Sequence, residues 1–165
     1  MKKNIYYFIF SIIALVIQLQ FSLYFPGIKP APDFLLIIVV FAALLSGVKT
    51  GFFLGLIIGL IQDLYLGGIF GIYTISKAVV GVIAGLMEGK VYKKNILIPP
   101  IIIFIISIIH ELLLIPLSER LLFKMNIWYI FKNYIINFSL HNSLLAFVLY
   151  IIIYFIYFNR RSYYE

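Results

Sequence analysis

Residues 4–28 carry no charged side chain, and uncharged apolar runs of this kind recur to the end of the chain. Such runs dictate helices, because a backbone placed in lipid must satisfy its own hydrogen-bonding groups. The first run is long enough for a full crossing from about Ile5 to Phe25. Composition supports the same solvent. The 165 residues are 64% hydrophobic and 12% charged, with a mean hydropathy of +1.12. A soluble domain of this size cannot hide that much apolar surface in one core. The chain reads as one all-α integral membrane domain spanning residues 1–165.

The first run is longer than a signal-peptide core and lacks a small-residue cleavage site, so it reads as a retained helix. FPGIKPAPD then breaks it with three prolines and a glycine. Two short runs follow, 34–48 and 51–66, each only roughly 22–24 Å long as helix. Further runs cover about 69–87, 96–117 and 134–158. Pro99 and Pro100 fall where a helix tolerates them, in its first turn.

Gly47-Val48-Lys49-Thr50-Gly51 between the short runs allows a tight hairpin or one long kinked helix. Basic residues separate the two. With a hairpin there are six spans, and Lys2, Lys3, Lys49, Lys90, Lys93, Lys94, Arg160 and Arg161 face the cytoplasm. Only Lys29, Arg120, Lys124 and Lys132 then lie outside, with Lys77 in the membrane. A long helix gives five inside and six outside, with Lys49 buried. The bias favours six spans, with both termini cytoplasmic. It also assigns the net charge of +7 to topology and anionic lipid rather than to nucleic acid. Between the last two spans, residues 118–132 read either as an interfacial helix carrying Trp128 or as an ordered loop.

Gly47, Gly51, Gly55 and Gly59 recur every four residues. The next steps land on Asp63 and Gly67, and Gly81, Gly85 and Gly89 form a second series. In lipid, close packing holds helices together and glycine lets backbones approach. Both stripes therefore read as packing faces, with one of them open to a partner helix. Leucine at Gly55 or Gly59 is expected to force the helices apart, and alanine to be milder. A hairpin turning near Gly67 and Gly68 puts Asp63 level with about Thr74, and Lys77 one turn deeper. An Asp63–Lys77 pair follows, with a polar pocket for a proton or ligand as the alternative.

His110, Glu111 and His141 are the other intramembrane polar residues singled out. HExxH fails because position 114 is leucine. His110 and Glu111 point about 100° apart on a helix and do not easily serve one site. Hydrogen bonds between helices are the expected role of these residues. SxxK (Ser46 to Lys49) and KTG (Lys49 to Gly51) overlap in one turn, which cannot build a penicilloyl-serine site. With no cysteine, P-loop, GxSxG or triad, neither an enzyme nor a cofactor is expected.

Pro32-Asp33-Phe34-Leu35-Leu36, followed by GxxxGLIQDLYLGGIFG over Gly55–Gly71, resembles the rod shape-determining MreD family. The shared pattern is Pro32 and Asp33, then Gly59, Asp63, Leu64 and Gly67, over about residues 32–90. Leu66 departs from the small polar residue often found there, and Lys77 is not a family position. The resemblance implies a non-enzymatic scaffold of the bacterial elongation machinery, acting in cell shape and peptidoglycan synthesis. The partners it implies are MreC, MreB, RodA and a class B penicillin-binding protein. It also implies a six-helix fold similar to substrate-binding subunits of energy-coupling-factor transporters. The alternative is a vitamin-uptake subunit of that kind. Such a subunit often carries an alanine-x-x-x-alanine face on its first span, where this chain has Ala14 alone.

Overall fold

The computed structural model describes residues 2–67, 69–89, 96–115 and 127–161, with side chains between residues 9 and 152. It is 85% helical, with no strand among the described residues. The helices are α1 (Lys2–Tyr24), α2 (Phe34–Leu66), α3 (Ile72–Gly85), α4 (Ile98–Leu114), α5 (Ile127–Ile130) and α6 (Ile136–Arg161). A π-helical turn, Phe131–Ile135, joins the last two. By length and composition, Phe34–Leu66 and Trp128–Ile152 are each able to cross a membrane. Ile9–Tyr24, Ile72–Gly85 and Ile98–Leu114 are apolar but shorter.

α2 turns back on itself at Gly47. The backbone there is φ 80°, ψ −175°, a conformation open to glycine and strained for other residues. In a straight helix residues 43 and 51 are about 12 Å apart. Here a Cβ on Gly51 would fall 2.6 Å from the Cβ of Ala43. The arms 34–46 and 48–66 therefore lie side by side, as the hairpin reading expects. Leu35, Val39 and Ala42 of the first arm share a cluster with Leu54 and Ile58 of the second and Ala14 of α1.

The first arm is the central helix of the bundle. Residues 35–44 are buried almost without interruption. This explains why FLLIIVVFAALL shows no amphipathic period, since a helix apolar all round is one enclosed all round. Its other side packs with Val80 and Ala84 of α3, Ile103 and Ile106 of α4, and Ala146 of α6. Pro99 and Pro100 sit in the first turn of α4, as the sequence places them. The outward faces are apolar too, with Phe10, Phe53, Ile57, Ile105, Leu144 and Val148 exposed.

The glycine stripes differ from expectation in one respect: they face each other. A Cβ on Gly51 would overlap the carbonyl of Gly81, one on Gly55 the backbone of Lys77 and Ala78, and one on Gly59 that of Tyr73 and Thr74. Gly85 closes the series against Gly47 and Val48. The second arm and α3 are in backbone contact along their length, which covers both stripes except Gly89, whose Cβ position meets nothing within 4 Å. The covered glycines leave no room for a methyl group, so alanine is not a mild change there. Gly67 is a different case. Nothing lies within 4 Å of its Cβ position. It ends α2 at φ 66°, its N–H donating to the Asp63 carbonyl.

Ile127–Lys132 belongs to the last helical run rather than to a separate interfacial helix, because the π turn carries the chain into α6 without a break. The remainder of that expected segment, with Arg120 and Lys124, lies outside the described residues, as do Gly68, Lys90, Lys93 and Lys94.

Candidate functional site

Polar side chains gather where the loop after α1 enters α2. Pro32 ends the loop and Asp33 caps the helix in an extended conformation, its Oδ1 accepting from Leu36 N at 2.9 Å. Such a cap satisfies one of the amide groups a helix start leaves orphaned. The other carboxylate oxygen accepts from Lys77 Nζ of α3. The backbone N–H of Asp33 donates to Asn142 Oδ1 of α6 at 2.7 Å, and Asn142 Nδ2 donates to Ser107 Oγ of α4 at 3.0 Å. Gln18 of α1 accepts from Leu35 N at 3.4 Å. One helix start thus ties five helices together.

Lys77 is 0% exposed and Asp33 5%. A buried ammonium is tolerated only with a counter-charge. Asp33 supplies it, with its other carboxylate oxygen held by the Leu36 amide at the helix start. The expected Asp63–Lys77 pair is not formed. Asp63 accepts instead from Tyr73 N and Thr74 N, each at 3.0 Å, and from the Thr74 hydroxyl. The level at Thr74 is as the sequence places it, but the partner is the start of α3. That helix begins at Gly71 with no side-chain cap of its own. Asp63 provides one from a neighbouring helix, and Gly59, one turn earlier, lets the backbones come close enough for it to reach. Leu64 of the same motif faces outward, 70% exposed.

His110 and Glu111 point apart on α4, yet both border one cavity of about 110 Å³, with Gln18, Asp33, Gln62 and Tyr73 on its other walls. Their divergence is no bar, because the cavity is broad enough to be flanked from both sides. His110 makes none of the expected interhelical hydrogen bonds. Among the described residues its ring nitrogens have no hydrogen-bond partner, Nδ1 lying 3.8 Å from Glu111 Oε1. The ring stacks on Phe138. His141 does bond, through Nδ1 to the carbonyl of Pro30 at 2.8 Å, and so holds the loop that delivers Asp33.

Asn142, Ser107, Gln62 and Gln18 were not singled out from the sequence. Each is a neutral polar residue in an apolar run, the only signal it offered. Among the described residues no group of three His, Asp or Glu side chains is placed to hold a metal ion.

The family model for rod shape-determining protein MreD matches residues 1–160. No curated protein and no solved structure matches the chain.

Proposed function

The chain belongs to the rod shape-determining MreD family, and from that premise we propose that it is a non-enzymatic, multi-pass scaffold of the elongation machinery in the bacterial cytoplasmic membrane. In this reading it crosses the bilayer six times, as in the six-helix subunits of energy-coupling-factor transporters. Both termini are cytoplasmic. It docks the transmembrane helix of MreC, and through that assembly it supports RodA, a class B penicillin-binding protein and MreB.

The observation that carries the scaffold role is the closed interior. The glycine stripes, Gly89 apart, are used up between α2 and α3, and the polar groups of five helices are joined at Asp33. What remains for partners is a stiff body with apolar outer faces, of which α1 presents Phe10, Ile13, Val16 and Ile17. Packing against such faces is how helices associate in lipid.

Affinity purification of the tagged chain from its native membrane tests this. MreC is the expected companion, and cells lacking the chain are expected to lose rod shape. An eluate without MreC, together with normal rods after deletion, would rule the reading out.

A further inference from the structure

We propose that the cavity beside Gln62 and His110 binds the hydroxyls of a phosphoglycerol group. The site belongs to the chain itself and needs no partner of the elongation machinery.

Hydrogen bonding, not charge, specifies the ligand. Gln62 and His110 both line the cavity. Gln62 is 4% exposed and His110 0%. Among the described residues, Gln62 Oε1 and both ring nitrogens of His110 lack a hydrogen-bond partner. The carboxylates on the same walls are engaged: Asp33 by Leu36 and Lys77, Glu111 by an interaction of its own. The unmet demand thus rests on an amide and an imidazole, and leaving such groups unpaired in a buried site is costly. A neutral imidazole presents one donor and one acceptor, and the amide oxygen calls for a donor. An ammonium only donates, and the oxygens of an ionised phosphate only accept. A hydroxyl does both. It answers Gln62 and His110 in either orientation of the amide and either tautomer of the ring.

Size and access narrow the source. A volume of about 110 Å³ is several times the roughly 30 Å³ of a water molecule in the liquid, so a small diol has room. Ser22, exposed in the last turn of α1, is part of the wall. The cavity therefore reaches the surface at the end of a membrane helix, where lipid headgroups lie. Exposed Lys29 and Lys132 stand at that end, two residues before Ala31 and Tyr134 of the wall, and are available to a phosphate. Two sources supply hydroxyls joined to a phosphate in this way: phosphatidylglycerol in the bilayer, or free glycerol phosphate.

The test uses the full chain in detergent, in a buffer free of glycerol. In one arm, native mass spectrometry compares retention of phosphatidylglycerol with phosphatidylpropanol of the same acyl chains, which has the same charge and no headgroup hydroxyl. A preference of at least about fivefold for the former is expected if the lipid is the source. In the other, glycerol phosphate is expected to raise the melting temperature above that in equal propyl phosphate if the free ester binds. A preference in either arm supports the site and identifies the source. Gln62→Leu and His110→Phe are each expected to remove it. Lys29→Gln is expected to weaken binding of both members of a pair and leave the preference intact. Gln62→Leu alters no charge and serves alone where His110→Phe fails to fold. No preference in either arm leaves the cavity to water and overturns the proposal. A preference that persists in the folded Gln62→Leu or His110→Phe variant, or one that Lys29→Gln abolishes, places the hydroxyls outside the cavity and overturns it too.

Discussion

Asp33 does two things with one carboxylate: it caps α2 and it neutralises Lys77. Replacing it therefore removes a cap and strands a buried ammonium. Asp33→Asn is expected to destabilise the protein by roughly 3–5 kcal/mol, while Asp33→Asn with Lys77→Met recovers most of that loss, because removing both partners of a buried pair is often nearly neutral. Chemical denaturation in detergent measures both. A cycle pairing Asp63→Asn with Lys77→Met is expected to be additive, since Asp63 bonds to Tyr73 and Thr74 and not to Lys77. Asp33 itself entered the sequence reading only through the family motif that Pro32 and Asp33 share. Its ion pair was not legible, because the two residues are 44 positions apart and meet only once the first arm folds back beside the second. Reasoning from one local hairpin saw Asp63 as the carboxylate nearest Lys77 and had no means to bring Asp33 level with it.

The glycine ladder shows the opposite balance at the scale of elements. Its spacing was enough to read a close-packed face, because a four-residue repeat keeps glycines on one side of a helix. The same spacing does not say which helix fills the groove, and the occupant is α3, bearing the second stripe. The consequence is graded by backbone contact. Gly55→Ala and Gly59→Ala drive a methyl into the backbone of α3, where the neighbour cannot rotate away. Each is expected to lower thermal stability in detergent substantially, by roughly 1–3 kcal/mol as in other overpacked interiors. Gly67→Ala meets open space and costs only its strained backbone, φ 66° with ψ −166°, roughly 1–3 kcal/mol. Leucine at Gly55 or Gly59 is expected to prevent folding, and leucine at lipid-facing Ile57 to do little. If Gly55→Ala melted like the parent protein, the two helices would not be in the contact described.

For the whole molecule, the fold-back at Gly47 sets which charges share an end. α1 and the first arm of α2 run antiparallel, with Gln18 beside Leu35, so Lys29 lies at the end where Asp33 and the cavity are. Exposed Lys132, in the π turn before α6, belongs to that end also. Lys49 is exposed beside the Gly47 turn, about 20 Å away along the first arm. The separation has the polarity that the basic-residue bias requires if the Gly47 end faces the cytoplasm. Charge counting yields this expectation from sequence because loop charges bias orientation. It could not read the cavity, which needs α1, α2, α3 and α4 in their final places. Single cysteines at Lys29, Lys49, Lys93 and Trp128, probed with an impermeant thiol reagent on intact cells, test the orientation. Labelling is expected at Lys29 and at Trp128, which is 70% exposed. Lys49 and Lys93 are expected to label only after the membrane is opened. Labelling of Lys93 but not of Lys29 or Trp128 in intact cells would invert the orientation. Protection of Lys49 even in opened membranes would place the turn inside the bilayer, and α2 would then be a re-entrant hairpin rather than two spans.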